Sequence, residues 1–314
     1  MTLTQLSVFV LVARLGSMKD AAATLGVSEP AVSQAITALR QHTGDQLLVR
    51  VGNGMTLTPG GGRLLPIASQ MVALGAEAEA AVRAAQGVQQ LRLVATSTIA
   101  EFVAAPLMEA FTRRTAGVTE ASSGVAAGGQ MSVLVANRLA DVALGPRLAG
   151  DPSLGLVSEP IFRCRLVVVA SGRGRPAGSP GGWTWLVDPS GTDPDSETSA
   201  LLRRLGVAEP RVRVFPNQTA AWAAAADGVG VAPAVAHLVA HRVQRGELSL
   251  VETPATPMDA SWYVTMLHRD RRTAVAGSLR NFLGTPEAMQ LMRSPAAGVP
   301  PSRFRPSVYV TIWS

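Results

Sequence analysis

The residues of this chain that could do chemistry are few, and those that fall into patterns point to recognition rather than to bond making. His237 and His241 stand four apart in HLVAH, yet the stretch lacks the glutamate of the HExxH zinc motif, so the sequence predicts no metal site. No GxSxG elbow, P-loop or dinucleotide fingerprint occurs, which predicts neither catalytic residues nor a cofactor. Cys164 is the single cysteine; it excludes an intrachain disulfide and a two-cysteine peroxide sensor, and reads as an inert packed residue. What remains are polar residues clustered at predicted helix starts. One group is Ser28, Glu29, Pro30, Ser33, Gln34 and Thr37, on the outer side of a short helix that could enter a major groove. A second is Thr96, Ser97 and Thr98, where a strand meets a helix whose free amides favour an anion, commonly a carboxylate. A third, Asn217, Gln218 and Thr219, opens another helix and could form an opposing wall.

The first group is positioned by three short helical patterns before residue 45. Leu6, Phe9, Val10 and Ala13 repeat at helical spacing, and Ser17 caps a second helix from Met18 to Leu25. Gly26 then fits a left-handed C′ position, and Ser28 caps a third helix with the buried stripe Ala31, Val32, Ala35, Ile36 and Leu39. Two helices joined by a short glycine-containing turn form a helix-turn-helix. Residues 47–58 read as a hairpin wing around Gly52-Asn53-Gly54, with Arg50 placed to reach phosphate or a minor groove and Asn53 at the tip.

Thr58 can cap a long helix with Pro59 at its first position. Leu64, Ile67, Met71, Leu74, Ala78, Ala81 and Ala85 recur along it at spacings of three, four and seven, the pattern of a helix that pairs with its twin. Gly60, Gly61 and Gly62 read as a softened joint, further weakened by Pro66. From Leu91 short β-rich runs alternate with helical ones, which predicts parallel α/β layers with ligands at the carboxyl ends of the strands.

Composition fits this organisation. A chain of 314 residues with 47% hydrophobic and 16% charged residues is globular and long enough for more than one domain. No apolar run is long enough to span a bilayer, and the first twenty residues lack a signal peptide's basic flank and cleavage site, so the expected location is the cytoplasm. The net charge of +6 hints at an anionic partner only weakly, because Lys19 is the single lysine and arginines such as Arg203, Arg211, Arg213, Arg271 and Arg272 lie far from the N-terminal segment.

The blocks GSMKDAAATLGVSEPAVSQAITAL, QLLVR and LTPGGGRLL, preceded by Leu6 and Phe9, run from about residue 3 to residue 65 and resemble the LysR-type transcriptional regulators. Looser matches follow in PLMEAFTRR, RLADVALG and ADGVGVAPAV. The resemblance implies a multidomain chain: a helix-rich winged helix-turn-helix over 1–58, a dimerising linker helix over 59–87, and an α/β two-lobed periplasmic-binding-protein-like effector domain over 88–283. Lobe I would comprise about 91–161 and 267–283, lobe II about 162–266, with crossings near Phe162 to Val167 and Ser261 to Met266. It also implies binding to promoter DNA and to a small-molecule effector, a homodimer through Leu64, Ile67, Met71, Leu74 and Ala78 that pairs again into a dimer of dimers, and RNA polymerase as a further candidate partner.

The chain departs from the family where Glu29 stands for the usual glutamine and Gln34 for a frequent arginine, so base preference does not transfer. A cytoplasmic solute-binding protein or enzyme of the same two-lobed fold is the alternative, but it leaves the first 87 residues unexplained. A non-specific DNA-packaging protein is opposed by the scarcity of basic residues before residue 59. The tail, 284–314, is expected to add a strand over residues 303–312, where Phe304, Val308, Val310 and Ile312 share one face and Pro306 requires an edge or a strand start.

Overall fold

The computed structural model describes residues 1–52, 54–85, 87, 89–115, 119–148, 154–174 and 176–294. Asn53 and the expected strand over residues 303–312 lie outside the described residues.

Three helices open the chain: α1 (Leu3–Leu15), α2 (Met18–Leu25) and α3 (Glu29–Thr43). Each start is set by its sequence. Thr2 and Gln5 form a capping box, Ser17 accepts from the Asp20 amide, and Ser28 accepts from the Ala31 amide. Gly26, at φ 66°, ends α2 in the left-handed region and turns the chain within three residues into α3. Phe9, Val32, Ile36 and Leu39 are fully buried where the helices meet. Ala31 is exposed, contrary to the sequence reading. The buried stripe is the narrower set Val32, Ile36 and Leu39, and Ala31 falls to its side, beside Gln34 on the outer face.

Strands β1 (Leu48–Val51) and β2 (Gly54–Leu57) form the hairpin. Arg40 of α3 ties it down by donating to the carbonyls of Gln46 at 2.7 Å and Leu48 at 2.5 Å. The Met55 amide also donates to the Gly16 carbonyl at 2.7 Å. The long helix α4 (Pro59–Ala85) follows and continues through Pro66.

The glycines at the start of α4 are not a soft joint. A Cβ on Gly60 would lie 2.2 Å from Asp45 Oδ2, and one on Gly61 would lie 2.0 Å from the Leu47 carbonyl oxygen. Only Gly62 meets open space. Small size is required because the Asp45–Leu47 loop crosses directly over the helix start. Asp45 Oδ1 accepts from the Leu47 amide at 2.6 Å and from the Thr58 hydroxyl at 2.8 Å, which hold its carboxyl below the usual carboxylate range. Ala68 and Val72 of α4 are buried in the same apolar cluster as α1, whereas Ile67, Met71 and Leu74 are 55%, 37% and 64% exposed and Ala78, Ala81 and Ala85 are exposed too.

The second half is a seven-stranded curled sheet, in the order β10 (Leu248–Val251), β6 (Leu156–Ser171), β11 (Met258–Leu267), β5 (Val142–Gly145), β3 (Gln89–Ala95), β4 (Thr119–Val125), with β9 (Ala232–Val235) also paired to β6. Strands β3 (Gln89–Ala95), β4 (Thr119–Val125) and β5 (Val142–Gly145) are parallel and carry the helical run 97–114 and helix α7 (Gly128–Ala136). That run comprises α5 (Ser97–Ile99), a π-helical turn (Ala100–Ala104) and α6 (Ala105–Arg114). Helices α11 (Ala274–Leu283) and α12 (Pro286–Arg293) complete this first lobe, whose core holds Leu91, Leu107, Phe111, Leu279 and Phe282.

The second lobe is built from β7 (Trp185–Val187), α8 (Glu197–Arg204), β8 (Val212–Val214), α9 (Gln218–Ala226), β9 (Ala232–Val235), α10 (Ala236–Gln244) and β10 (Leu248–Val251). Its cores centre on Trp185 and Trp222. Two long strands, β6 (Leu156–Ser171) and β11 (Met258–Leu267), run antiparallel through both lobes. They cross together where Phe162 to Arg165 face Asp259 to Trp262, and residues 263–266 of β11 already pair with β5 in the first lobe. The second crossing is therefore centred on Asp259 to Trp262 and overlaps only the start of the expected Ser261 to Met266. Among the described residues no helix is long and apolar enough to cross a membrane.

Candidate nucleic-acid interface and effector cleft

On α3, Ser28, Glu29, Pro30, Ser33, Gln34 and Thr37 are all exposed on the outer face, and Arg50 is exposed on β1 of the wing. They are not equivalent. Ser28 spends its oxygen on the cap, and the Thr37 hydroxyl donates back to the Ser33 carbonyl at 2.9 Å. Among the described residues, the Ser33 hydroxyl and the Gln34 amide make no side-chain hydrogen bond within the chain, so their donors and acceptors remain open for a base edge. Arg40, the next basic residue along the helix, is bound to the wing backbone and serves structure instead.

The second site is a small cavity of about 70 Å³ between the lobes. Thr96 and Thr98 line it, whereas Ser97 between them does not. Of the opposing group only Gln218 lines it. Its amide Nε2 donates to the Pro233 carbonyl at 2.8 Å, and Asn217 is the N-cap of α9, accepting from the Ala220 amide at 2.8 Å. The start of α9 is therefore not open to an external anion. The Glu101 carboxylate, reaching from the π-helical turn of the first lobe, accepts from the Gln218 and Thr219 amides at 3.2 Å each. A reciprocal contact joins the lobes in the other direction. Asp193 Oδ2, in the second lobe, accepts from the Gly128 amide at the start of α7 at 2.8 Å.

Sequence reasoning missed Glu101, Asp193 and Glu197, and the rings of Trp222 and Trp262 that line the cavity with the latter two. No local pattern marks Glu101, because a π turn has no sequence period of its own. Burial raises the Glu101 carboxyl above its ordinary value, against the lowering effect of its bonds to Thr219 and Gln218. Burial also raises Glu197, with the nearby Asp193 charge adding to it. Cys164 lines the cavity too, and burial, followed by the Glu197 charge, pushes its thiol up to about 12. At pH 7 the thiolate fraction is then on the order of 10⁻⁵, so alkylation of the native protein by iodoacetamide will be far slower than after unfolding. Equal rates in the two states would show the thiol to be reactive. His237 packs edge-on to Phe162 and Trp262, and among the described residues no group of histidine, cysteine and carboxylate side chains could hold a metal.

An exposed recognition helix with a wing, a long helix with an unpartnered apolar edge, and a two-lobed domain closed over a cavity together define an effector-responsive DNA-binding regulator. Residues 3–62 match the family described as bacterial regulatory helix-turn-helix proteins of the lysR family, and residues 84–285 match the LysR substrate binding domain. The chain belongs to the LysR family of transcriptional regulators. It is 34% identical to an uncharacterised HTH-type transcriptional regulator of Mycobacterium tuberculosis over 100% of both chains, and 30% identical to CfxR of Cupriavidus necator over 90% of this chain and 91% of that one. Those relatives are named as regulators of transcription, not enzymes. Among solved structures, peroxide-bound OxyR of Corynebacterium glutamicum, a cysteine-to-serine variant, superposes with a TM-score of 0.53 at 20% identity, covering 94% of this chain and 95% of that one. A probable transcriptional regulator of Pseudomonas aeruginosa gives 0.51 at 25% identity, covering 90% and 97%.

Proposed function

We propose that this regulator reads its operator with Ser33 and Gln34 while Pro30 shapes the helix start, Glu29 faces a cytosine amino group, and Arg50 binds phosphate or the minor groove. The observation that carries this reading is the outer face of α3, where Ser33 and Gln34 are exposed and make no side-chain hydrogen bond among the described residues while their neighbours Ser28, Thr37 and Arg40 are occupied. Arg50→Ala should weaken binding to all sequences, because a phosphate contact carries no base information, whereas Gln34→Ala should change which bases are preferred at about 1–3 kcal/mol per contact. Affinity and footprint unchanged in both variants would remove these residues from the interface.

The working unit of this reading is a cytoplasmic homodimer joined along Leu64, Ile67, Met71, Leu74 and Ala78, two such dimers forming a tetramer on promoter DNA within reach of RNA polymerase. The chain divides into a DNA module over 1–58, a linker over 59–87 and an effector domain that runs from residue 88 past the expected boundary at 283 through α12, whose Ala288 and Met292 are buried in the first-lobe core. A small effector sits between the lobes with a carboxylate against Thr96 and Thr98, where the helical run 97–114 begins. Thr98→Val should reduce the response to effector and leave ligand-free DNA binding intact, since an effector acts only through its preference for one arrangement. A normal response in that variant would place the effector elsewhere.

A further inference from the structure

We infer that the effector also carries an ammonium group, held in the interlobe cavity by Glu197 and Asp193. This rests on the reading of that cavity as the effector site and adds the charge of its ligand. Three observations lead to it. First, the cavity wall carries two carboxylates, Asp193 and Glu197, and among the described residues no arginine, lysine or histidine lines it. Second, two helix starts that face the cleft, those of α9 and α7, are already filled from within the chain, and a third, that of α8, carries Glu197 itself in its first turn. Glu101 accepts from the first amides of α9, and Asp193 accepts from the first amide of α7. A ligand bearing only a carboxylate would bring a further negative charge into a half-buried space that offers it no counter-ion, and like charges in low dielectric repel strongly. Third, Trp222 and Trp262 line the same cavity, and an aromatic ring face attracts an ammonium and repels an anion.

The remaining polar lining suits the rest of such a molecule. Thr96, Thr98, Ser196 and Thr198 offer hydroxyls that can donate or accept. The volume, about 70 Å³, limits the ligand to a few heavy atoms unless the lobes open. A small zwitterion, its carboxylate toward Thr96 and Thr98 and its ammonium toward Glu197 and Asp193, satisfies both walls.

The test uses the full chain and three probes built on one three-carbon skeleton: propylammonium, propionate and β-alanine. Thermal melting is followed at matched concentrations and ionic strength, with each variant's own ligand-free melting as reference. Propylammonium and β-alanine should stabilise the wild type and propionate should not. In Glu197→Gln and Asp193→Asn the apparent affinity for propylammonium should fall at least about tenfold, the size of a lost charge-assisted contact.

Stabilisation by propionate equal to or above that by propylammonium, an amine response undiminished in both variants, or no response to any probe would each overturn the inference. If propionate binds and Thr98→Val abolishes that binding, the cleft remains the effector site and only the ammonium is wrong. If propylammonium binds and β-alanine is no better, the ammonium stands and the carboxylate at Thr96 and Thr98 is lost. DNA recognition is read separately by footprinting.

Discussion

Replacing Met71 and Leu74 together with aspartate should convert the protein to a monomer that no longer holds its operator. Both side chains stand on the free edge of α4, 37% and 64% exposed in the single chain, in line with Ile67 before them and Ala78, Ala81 and Ala85 after. The opposite edge of the same helix is already used, with Ala68 and Val72 buried in the α1 cluster. A partner helix on the free edge would bury the new carboxylates without counter-ions, at several kcal/mol per ion on an order-of-magnitude scale. Two sites in each of two protomers exceed what a single helix pair can recover. Sedimentation should show the monomer, and operator affinity should fall by roughly 10²–10⁴ as the two recognition helices lose their tether. The substitutions lie on a solvent-facing edge, so helical content should be retained. A dimer of unchanged strength would mean that α4 pairs with nothing along this edge.

Gly61→Ala should destabilise the N-terminal module by about 3 kcal/mol or more, although alanine is favoured over glycine in a helix by about 1 kcal/mol. The added methyl would lie 2.0 Å from the Leu47 carbonyl oxygen and 2.9 Å from its carbon, and neither is a flexible side-chain end. Leu47 cannot easily move away. It sits at φ 57°, its amide is bound to Asp45, and its carbonyl accepts from the Thr58 amide at 3.0 Å. Relief requires α4 to lift off the Asp45–Leu47 loop and part with those bonds. The neighbouring Gly62→Ala meets nothing within 4 Å and should stabilise slightly through helix propensity. Melting curves of the two variants should therefore shift in opposite directions, by more than about 10 °C downward for Gly61→Ala. Equal shifts would mean that the loop yields and the glycine run is a matter of flexibility after all.

The parts of this molecule that depend on neighbours in sequence could be read without a structure. Ser17, Gly26 and Ser28 fix helix ends by bonds within three or four residues, and the Ile67–Met71–Leu74–Ala78 spacing survives as an exposed edge because a helix repeats every few residues. Features made by approach of distant segments could not. The glycines at 60 and 61 looked like weakness because the loop they accommodate lies some fifteen residues earlier and carries no mark of contact. Asn217, Gln218 and Thr219 had the composition of an anion seat, and they do form one, but its occupant is Glu101 from more than a hundred residues away. Asp193 and Glu197, by contrast, stand four residues apart in one segment of the second lobe; what their spacing could not give is the cavity they line, whose other wall comes from the first lobe.

Sequence-specific control of transcription through DNA is tested by quantitative footprinting on the DNA upstream of the protein's own gene, with random DNA titrated in parallel across a range of salt. A protected site made of two related half-sites is expected, bound at least about 10³-fold more tightly than random sequence near physiological salt, with a shallower loss of affinity than electrostatic binding alone would give. Binding that is equally strong on random DNA and disappears with salt in the same way would contradict it.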